Sequence, residues 1–299
     1  MEHPTLRLVD FSESLAERLA DPSAQPVLGE IVLYWLGQAG FVIDFAGRRI
    51  LIDPYLSDSL AKKYKGTKYE HRRMMASPIA PEQFTRLDLV LCTHRHTDHM
   101  DPDTLPLLAA AFPKLQFVVP AASIDEASRR CGVGADRLVP ANAGEQIQPL
   151  PGLLVYPVAS AHESIQMDDM GRHEWLGYVM DVAGLRLYHS GDCAPYPGLT
   201  DVLAHLKPHL ALLPVNGRDA NLSTNGVPGN FTLDEAVSLC HDARVPAMLA
   251  HHFGLFKFNT VSPSVIDARS QHEKGGNLNL IRASLGKALY IGATQGVIK

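Results

Sequence analysis

Apolar residues in this chain recur in short runs that polar or glycine-bearing turns interrupt. From Glu30 onward, IVLYWL at 31–36, GFVIDF at 40–45 and RILI at 49–52 read as three strands. The glycines at 37–40 and 46–47 make their connections short, which implies an antiparallel meander. LDLVLC at 87–92 reads as a buried strand, followed by a helix over 102–112, the strand LQFVV at 115–119 and a helix over 122–130. Strands return at 145–147, 153–158, 175–180 and 185–188. The last third alternates a helix at 202–206, a strand at 210–213, a helix at 233–241 opened by Thr232, a strand at 247–250 and a helix at 263–274. Meander followed by helices, twice, predicts an α/β protein: two β-rich halves packed face to face in an αββα sandwich.

Two stretches fall outside this rhythm. Residues 1–29, with a short amphipathic helix near 11–19 and a proline-bearing segment at 21–26, read as a leader ahead of one domain over 30–299. Residues 55–86 place Tyr55, Tyr64 and Tyr69 among Lys62, Lys63, Lys65 and Lys68. They read as a basic surface excursion, with a loop overhanging a site as the alternative.

The chain has 299 residues, is 46% hydrophobic and carries a net charge of −5, so it has enough apolar residues for a large core. No Lys/Arg-rich block suggests nucleic acid as a partner. No N-terminal basic-then-apolar segment or membrane-length apolar run is present, and Cys92, Cys131, Cys193 and Cys240 form no C-x-x-C pair. The expectation is a cytoplasmic protein with reduced thiols and a small-molecule substrate; the sequence leaves homo-oligomerisation open.

The chemistry concentrates at 93–100, THRHTDHM, where His94, His96, Asp98 and His99 crowd the end of the 87–92 strand. Side chains two apart on an extended segment point the same way, so His94 and His96 can share an ion. The following turn can direct Asp98 and His99 toward a second ion. Three other strand ends lead to ligand-type side chains: His162 after 153–158, His189 and Asp192 after 185–188, and the His251–His252 pair after 247–250. Spacing does not choose between His251 and His252. Asp53 ends the 49–52 strand as either a turn residue or the partner of a ligand histidine. Arg218 and Lys257 follow later strands as solvated charges or as anchors for a phosphate or carboxylate. Cys193 reads as a packed residue.

The H-x-H-x-D-H pattern at 94–99 resembles the signature of the metallo-β-lactamase superfamily. That resemblance implies the metallo-β-lactamase fold, a four-layer sandwich of two mixed sheets with helices outside. It also implies two ions, one held by His94, His96 and His162, the other by Asp98, His99 and His251, with Asp192 shared and Asp53 behind a ligand histidine. His252 then faces the pocket. WLGQAG at 35–40, MDDM at 167–170 and LYHSGD at 187–192 resemble the branch of L-ascorbate-6-phosphate lactonase and related metal-dependent hydrolases. His162 departs from the lactonase itself, so its substrate and metal do not carry over.

Imidazole and carboxylate donors suit zinc, manganese or iron. The expectation is a hydrolase in which a hydroxide between two such ions attacks an ester or lactone. Asp98 and Asp192 are its catalytic carboxylates, Asp98 passing a proton to the leaving group. Phosphodiester hydrolysis is the rival within enzymes, and a non-catalytic metal sensor or scaffold the rival outside them.

Overall fold

In a computed structural model that describes residues 4–292, Ile31, Leu33 and Trp35 belong to one apolar cluster and Val32, Tyr34 and Leu36 to another. All six are buried. A strand buried on both faces needs an apolar layer on each side.

The chain begins with β1 (Thr5–Asp10) and α1 (Leu15–Ala20), then the meander β2 (Glu30–Gly37), β3 (Gly40–Phe45) and β4 (Arg48–Ile52). After α2 (Ser59–Lys63) come β5 (Leu89–Leu91), α3 (Leu105–Ala111), β6 (Gln116–Pro120), α4 (Ile124–Cys131) and β7 (Leu138–Ala141). The second half opens with β8 (Ile147–Leu150), β9 (Leu153–Ala159), β10 (Leu176–Val182) and β11 (Leu185–His189). It continues through α5 (Leu199–Leu206), β12 (Leu210–Pro214), α6 (Ala220–Thr224), α7 (Leu233–Asp242), β13 (Ala247–His251), α8 (Pro263–Glu273), β14 (Asn279–Arg282) and β15 (Lys287–Gly292).

The first sheet has the order β1-β15-β2-β3-β4-β5-β6-β7 and the second β14-β13-β12-β11-β10-β9-β8. In each an antiparallel block passes into a parallel one, at β4 in the first and at β11 in the second. Leu15, Leu19, Leu105, Leu108 and Ala127 of α1, α3 and α4 pack on Val32, Val42 and Val90 of the first sheet. Leu199, Leu203, Val237, Cys240 and Ile266 of α5, α7 and α8 join the cluster that includes both sheets' facing residues. The result is the expected four-layer αββα sandwich of two mixed sheets. Among the described residues no helix is long and apolar enough to cross a membrane.

Three expectations need correction. Part of the stretch set apart as a leader, Thr5–Asp10, is the edge strand of the first sheet, and α1 packs beside it. β1 pairs antiparallel with β15, and Ser14 and Glu17 form a capping box that starts α1. Arg49, buried with Asp44, also donates to the Leu19 carbonyl at 2.9 Å, which ties α1 to the meander. Secondly, β5 stops at Leu91, so a turn rather than strand alternation arranges the histidines; His99 N and Met100 N both donate to His96 O. Finally, the segment read as a basic surface excursion lies partly over the site. Asp101 holds its start through Ser57 Oγ at 3.0 Å and Ser59 Oγ at 2.8 Å.

Candidate metal centre

Asp53, His94, His162, Asp192 and His252 all follow the C-terminal end of a strand (β4, β5, β9, β11 and β13), and these ends meet at one edge of the sandwich. In sheets with parallel strands that edge is where ligands bind, because loops diverge there and leave a crevice.

His94, His96, His162 and Asp192 each present one donor atom, all within 4.8 Å of one another; Asp98, His99 and His252 form a second such group. Asp192 joins the two. Its Oδ2 lies 3.8 Å from His162 Nε2, while its Oδ1 lies 3.2 Å from His99 Nε2 and 3.1 Å from His252 Nε2. Gly191 sets this position: its φ is +61°, and a Cβ there would come within 2.7 Å of the Leu176 carbonyl and 2.8 Å of Thr93. Only glycine fits.

Hydrogen bonds behind the cluster decide which ring nitrogens are free. Asp53 accepts from Thr93 N at 2.8 Å, from Thr93 Oγ1 at 2.7 Å and from His99 Nδ1 at 2.7 Å. With its own proton given to Asp53, Thr93 Oγ1 accepts from His94 Nδ1 at 3.1 Å. His94 therefore carries its proton on Nδ1 and turns a bare Nε2 inward, while Asp53 keeps a proton on His99 Nδ1 and leaves Nε2 as the nitrogen that a cation can claim. The Nε2 atoms of His94, His99 and His252, and Asp192 Oδ1, are buried without a hydrogen-bond partner. Buried polar atoms are normally bonded. Orphaned donors of the imidazole and carboxylate type, converging in two groups, fit divalent cations.

The electrostatics agree. Burial, reinforced by neighbouring histidines, holds His94 well below its usual pKa and His96 at about 4, and burial also lowers His162. These three rings are neutral at pH 7, as ligands must be. Burial pushes His99 down too, but Asp192, Asp53 and Asp98 outweigh it and hold the ring well above its usual value. Burial pushes the Asp192 and Asp98 carboxyls up; His252 and His99 against Asp192, and chiefly His99 against Asp98, more than reverse it.

Of the pair at the end of β13, the structure brings His252, not His251, to the cluster. β13 runs one residue further than its apolar pattern suggests, pairing His251 with Pro214. His251 therefore stays in the sheet, 5.0 Å from the His189 ring and 5.3 Å from Phe41. His252 is the first residue beyond, at φ +63°, with its N–H on the Gln38 carbonyl. A one-residue change of register exchanges the two faces of a strand.

The two cations proposed to hold an anion do not line the cleft. Arg218 donates to Glu235, which pairs with the cap residue Thr232 in the capping box of α7, and to the Asn230 carbonyl at 2.8 Å, and lines a separate hollow. Lys257 is exposed. Lys63 from the end of α2 lines the cleft instead. Cys193 is buried with a thiol pushed up to about 11, as a packed residue should be. Sequence reasoning missed Gln38, whose Nε2 donates to Asp98 at 2.9 Å, and His71, which lines the cleft; Gln38 follows β2 but carries an amide rather than a metal-ligating group, and His71 follows no strand.

Comparison with known proteins agrees with this geometry. A family model described as a beta-lactamase superfamily domain matches residues 48–253. A UPF0173 metal-dependent hydrolase of Polynucleobacter asymbioticus is 26% identical over 276 residues, covering 87% of this chain and 86% of its own. Another, from Aeropyrum pernix, is 29% identical over 238 residues, 75% and 83% of the two chains. Among solved structures, an isothiocyanate hydrolase from Delia radicum gut bacteria superposes with a TM-score of 0.69 at 17% identity, covering 86% of this chain and 97% of that one, a likeness of fold. The family match spans more than half of the chain, from β4 through His252, and on that ground the chain belongs to the metallo-β-lactamase superfamily.

Proposed function

We propose that this protein is a metal-dependent hydrolase of a compact ester or lactone. The observation that carries the reading is the pair of donor groups joined by Asp192, with buried, unpartnered nitrogens turned into one cleft. His94, His96, His162 and Asp192 would hold one divalent ion, and Asp98, His99 and His252 another, with zinc, manganese or iron suited to the donors. Such ions supply Lewis acidity toward a carbonyl or phosphoryl oxygen and a nucleophile from water at neutral pH.

The protein's own groups do the rest. Asp53 and Thr93 fix the tautomers of His99 and His94. Gln38 holds Asp98, whose carboxylate lines the cleft and is ionised at neutral pH. Asp98 would take the proton released by the attacking water and pass it to the leaving oxygen. The metal-dependent hydrolase names of the relatives support the reaction class. The cleft volume of about 80 Å³, with Lys63 as the one basic side chain lining it among the described residues, favours a small substrate over a polynucleotide or lipid phosphodiester.

The test is a panel of esters, lactones and phosphodiesters assayed on protein reconstituted with zinc or manganese, before and after chelation, with metal content by elemental analysis. Ester or lactone cleavage that disappears on chelation and returns with metal is expected. Equal rates in both states would overturn the reading, and metal uptake without turnover of any substrate would favour a sensor or scaffold.

A further inference from the structure

One wall of the cleft is built from side chains that the ligand groups do not use. His71 lines it with Leu60, Tyr64 and Phe256. The His71 ring stacks on Tyr64, with centroids 4.4 Å apart and planes 25° apart, and meets Phe256 and Phe258 edge-on at 4.9 and 4.8 Å. Its Nδ1 lies 2.8 Å from the Tyr69 carbonyl oxygen. A carbonyl oxygen only accepts, so Nδ1 carries the hydrogen. Burial lowers the pKa of this ring, which keeps it neutral at pH 7. Nε2 is then a lone-pair acceptor, and it has no hydrogen-bond partner among the described residues. Phenylalanine would satisfy the aromatic packing alone; a histidine with its orientation locked and one acceptor left over does more.

The cleft is small, about 80 Å³. A reacting group held there places its nearest substituents against these walls. On the reading of this cleft as a hydrolase site, we propose that His71 is a specificity-determining residue. Its Nε2 accepts a hydrogen bond from a hydroxyl or amide N–H carried beside the scissile carbonyl. The substrate class is then a compact α-hydroxy or α-amido ester or lactone.

The experiment uses the full chain loaded with zinc and two matched probe pairs. Methyl glycolate and methyl methoxyacetate differ in the hydroxyl hydrogen, and their hydrolysis is followed by proton release. The corresponding acids, glycolate and methoxyacetate, are titrated separately by NMR, so recognition is read without turnover. Wild type should favour the hydroxyl member by about tenfold in both measurements, the worth of one neutral hydrogen bond. His71→Phe should remove the preference while zinc content and melting temperature stay near wild type; His71→Ala is the second removal variant should phenylalanine crowd Phe256 and Phe258. His71→Gln, which keeps an acceptor, should restore part of the preference. A wild type without preference, or a preference that survives both removal variants, overturns the proposal. A binding preference that depends on His71 without cleavage of either ester leaves the recognition standing and sinks the hydrolase reading instead.

Discussion

A histidine binds a cation through a nitrogen that carries no proton, so whatever holds the proton on the other nitrogen matters as much as the ligand. Asp53→Ala removes the acceptor of His99 Nδ1 and of Thr93. Metal affinity is expected to fall about 10- to 100-fold, measured by competition with a chelating dye. His251 and His252 offer a sharper contrast. His252→Phe should lower the metal content of the purified protein. His251→Phe should leave it unchanged and cost under about 1.5 kcal/mol, because that ring is packed between aromatic neighbours and its nitrogens make no hydrogen bond of normal geometry. Equal metal content in both variants would reject the assignment of His252. Protonation gives a third expectation, for the metal-free protein. His96 falls from 6.5 to about 4 on folding, and His94 and His162 fall with it. Between those values the unfolded chain binds protons that the folded one does not, so stability is complete above about pH 6.5 and declines as pH falls toward 4. His99, raised on folding, works the opposite way near pH 6.5, where the unfolded ring is still gaining its proton, and adds little to the slope below that. Urea midpoints at pH 7 and pH 4.5 check this; an equal or higher midpoint at pH 4.5 would contradict it.

Among the elements, the meander β2–β4 was legible because glycine turns and both-face burial mark it so strongly. β1, β7, β14, β15, α2 and α6 were not. β14 is NLIR, its partly polar pattern completed by pairing with β13, and β1 is largely exposed along its length. Such edge strands take their stability from a partner far away in sequence, which no local pattern reports. Asp44 and Arg49 show how this distant part is fastened. The pair is buried, with Arg49 1% and Asp44 0% exposed, and Arg49 also reaches α1. Asp44→Ala strands a buried guanidinium and should destabilise the protein by about 3–5 kcal/mol in denaturant unfolding. A loss under about 1 kcal/mol would mean that water reaches Arg49.

At the scale of the whole molecule, one centre joins both halves of the sandwich: Asp53, His94 and His99 come from the first sheet, His162, Asp192 and His252 from the second. A cation bound there bridges the halves. Saturating zinc at about 100 times its dissociation constant should add roughly 2.7 kcal/mol of stability, seen as a rise in melting temperature that chelation reverses. The local sequence determined much of this. THRHTDHM after an apolar run, and histidine or aspartate after later runs, named nearly every donor, since a strand's end and its ligand are neighbours in the chain. Tertiary structure alone decided the rest. Pairing with β12 extended β13 by a residue and turned out His252 in place of His251. Glu235 withdrew Arg218 from the cleft, and Asp101 fastened the 57–59 segment, beside the stretch that brings Lys63 and His71 to the cleft. These outcomes depend on which distant group reaches a side chain first, and local pattern carries no record of that.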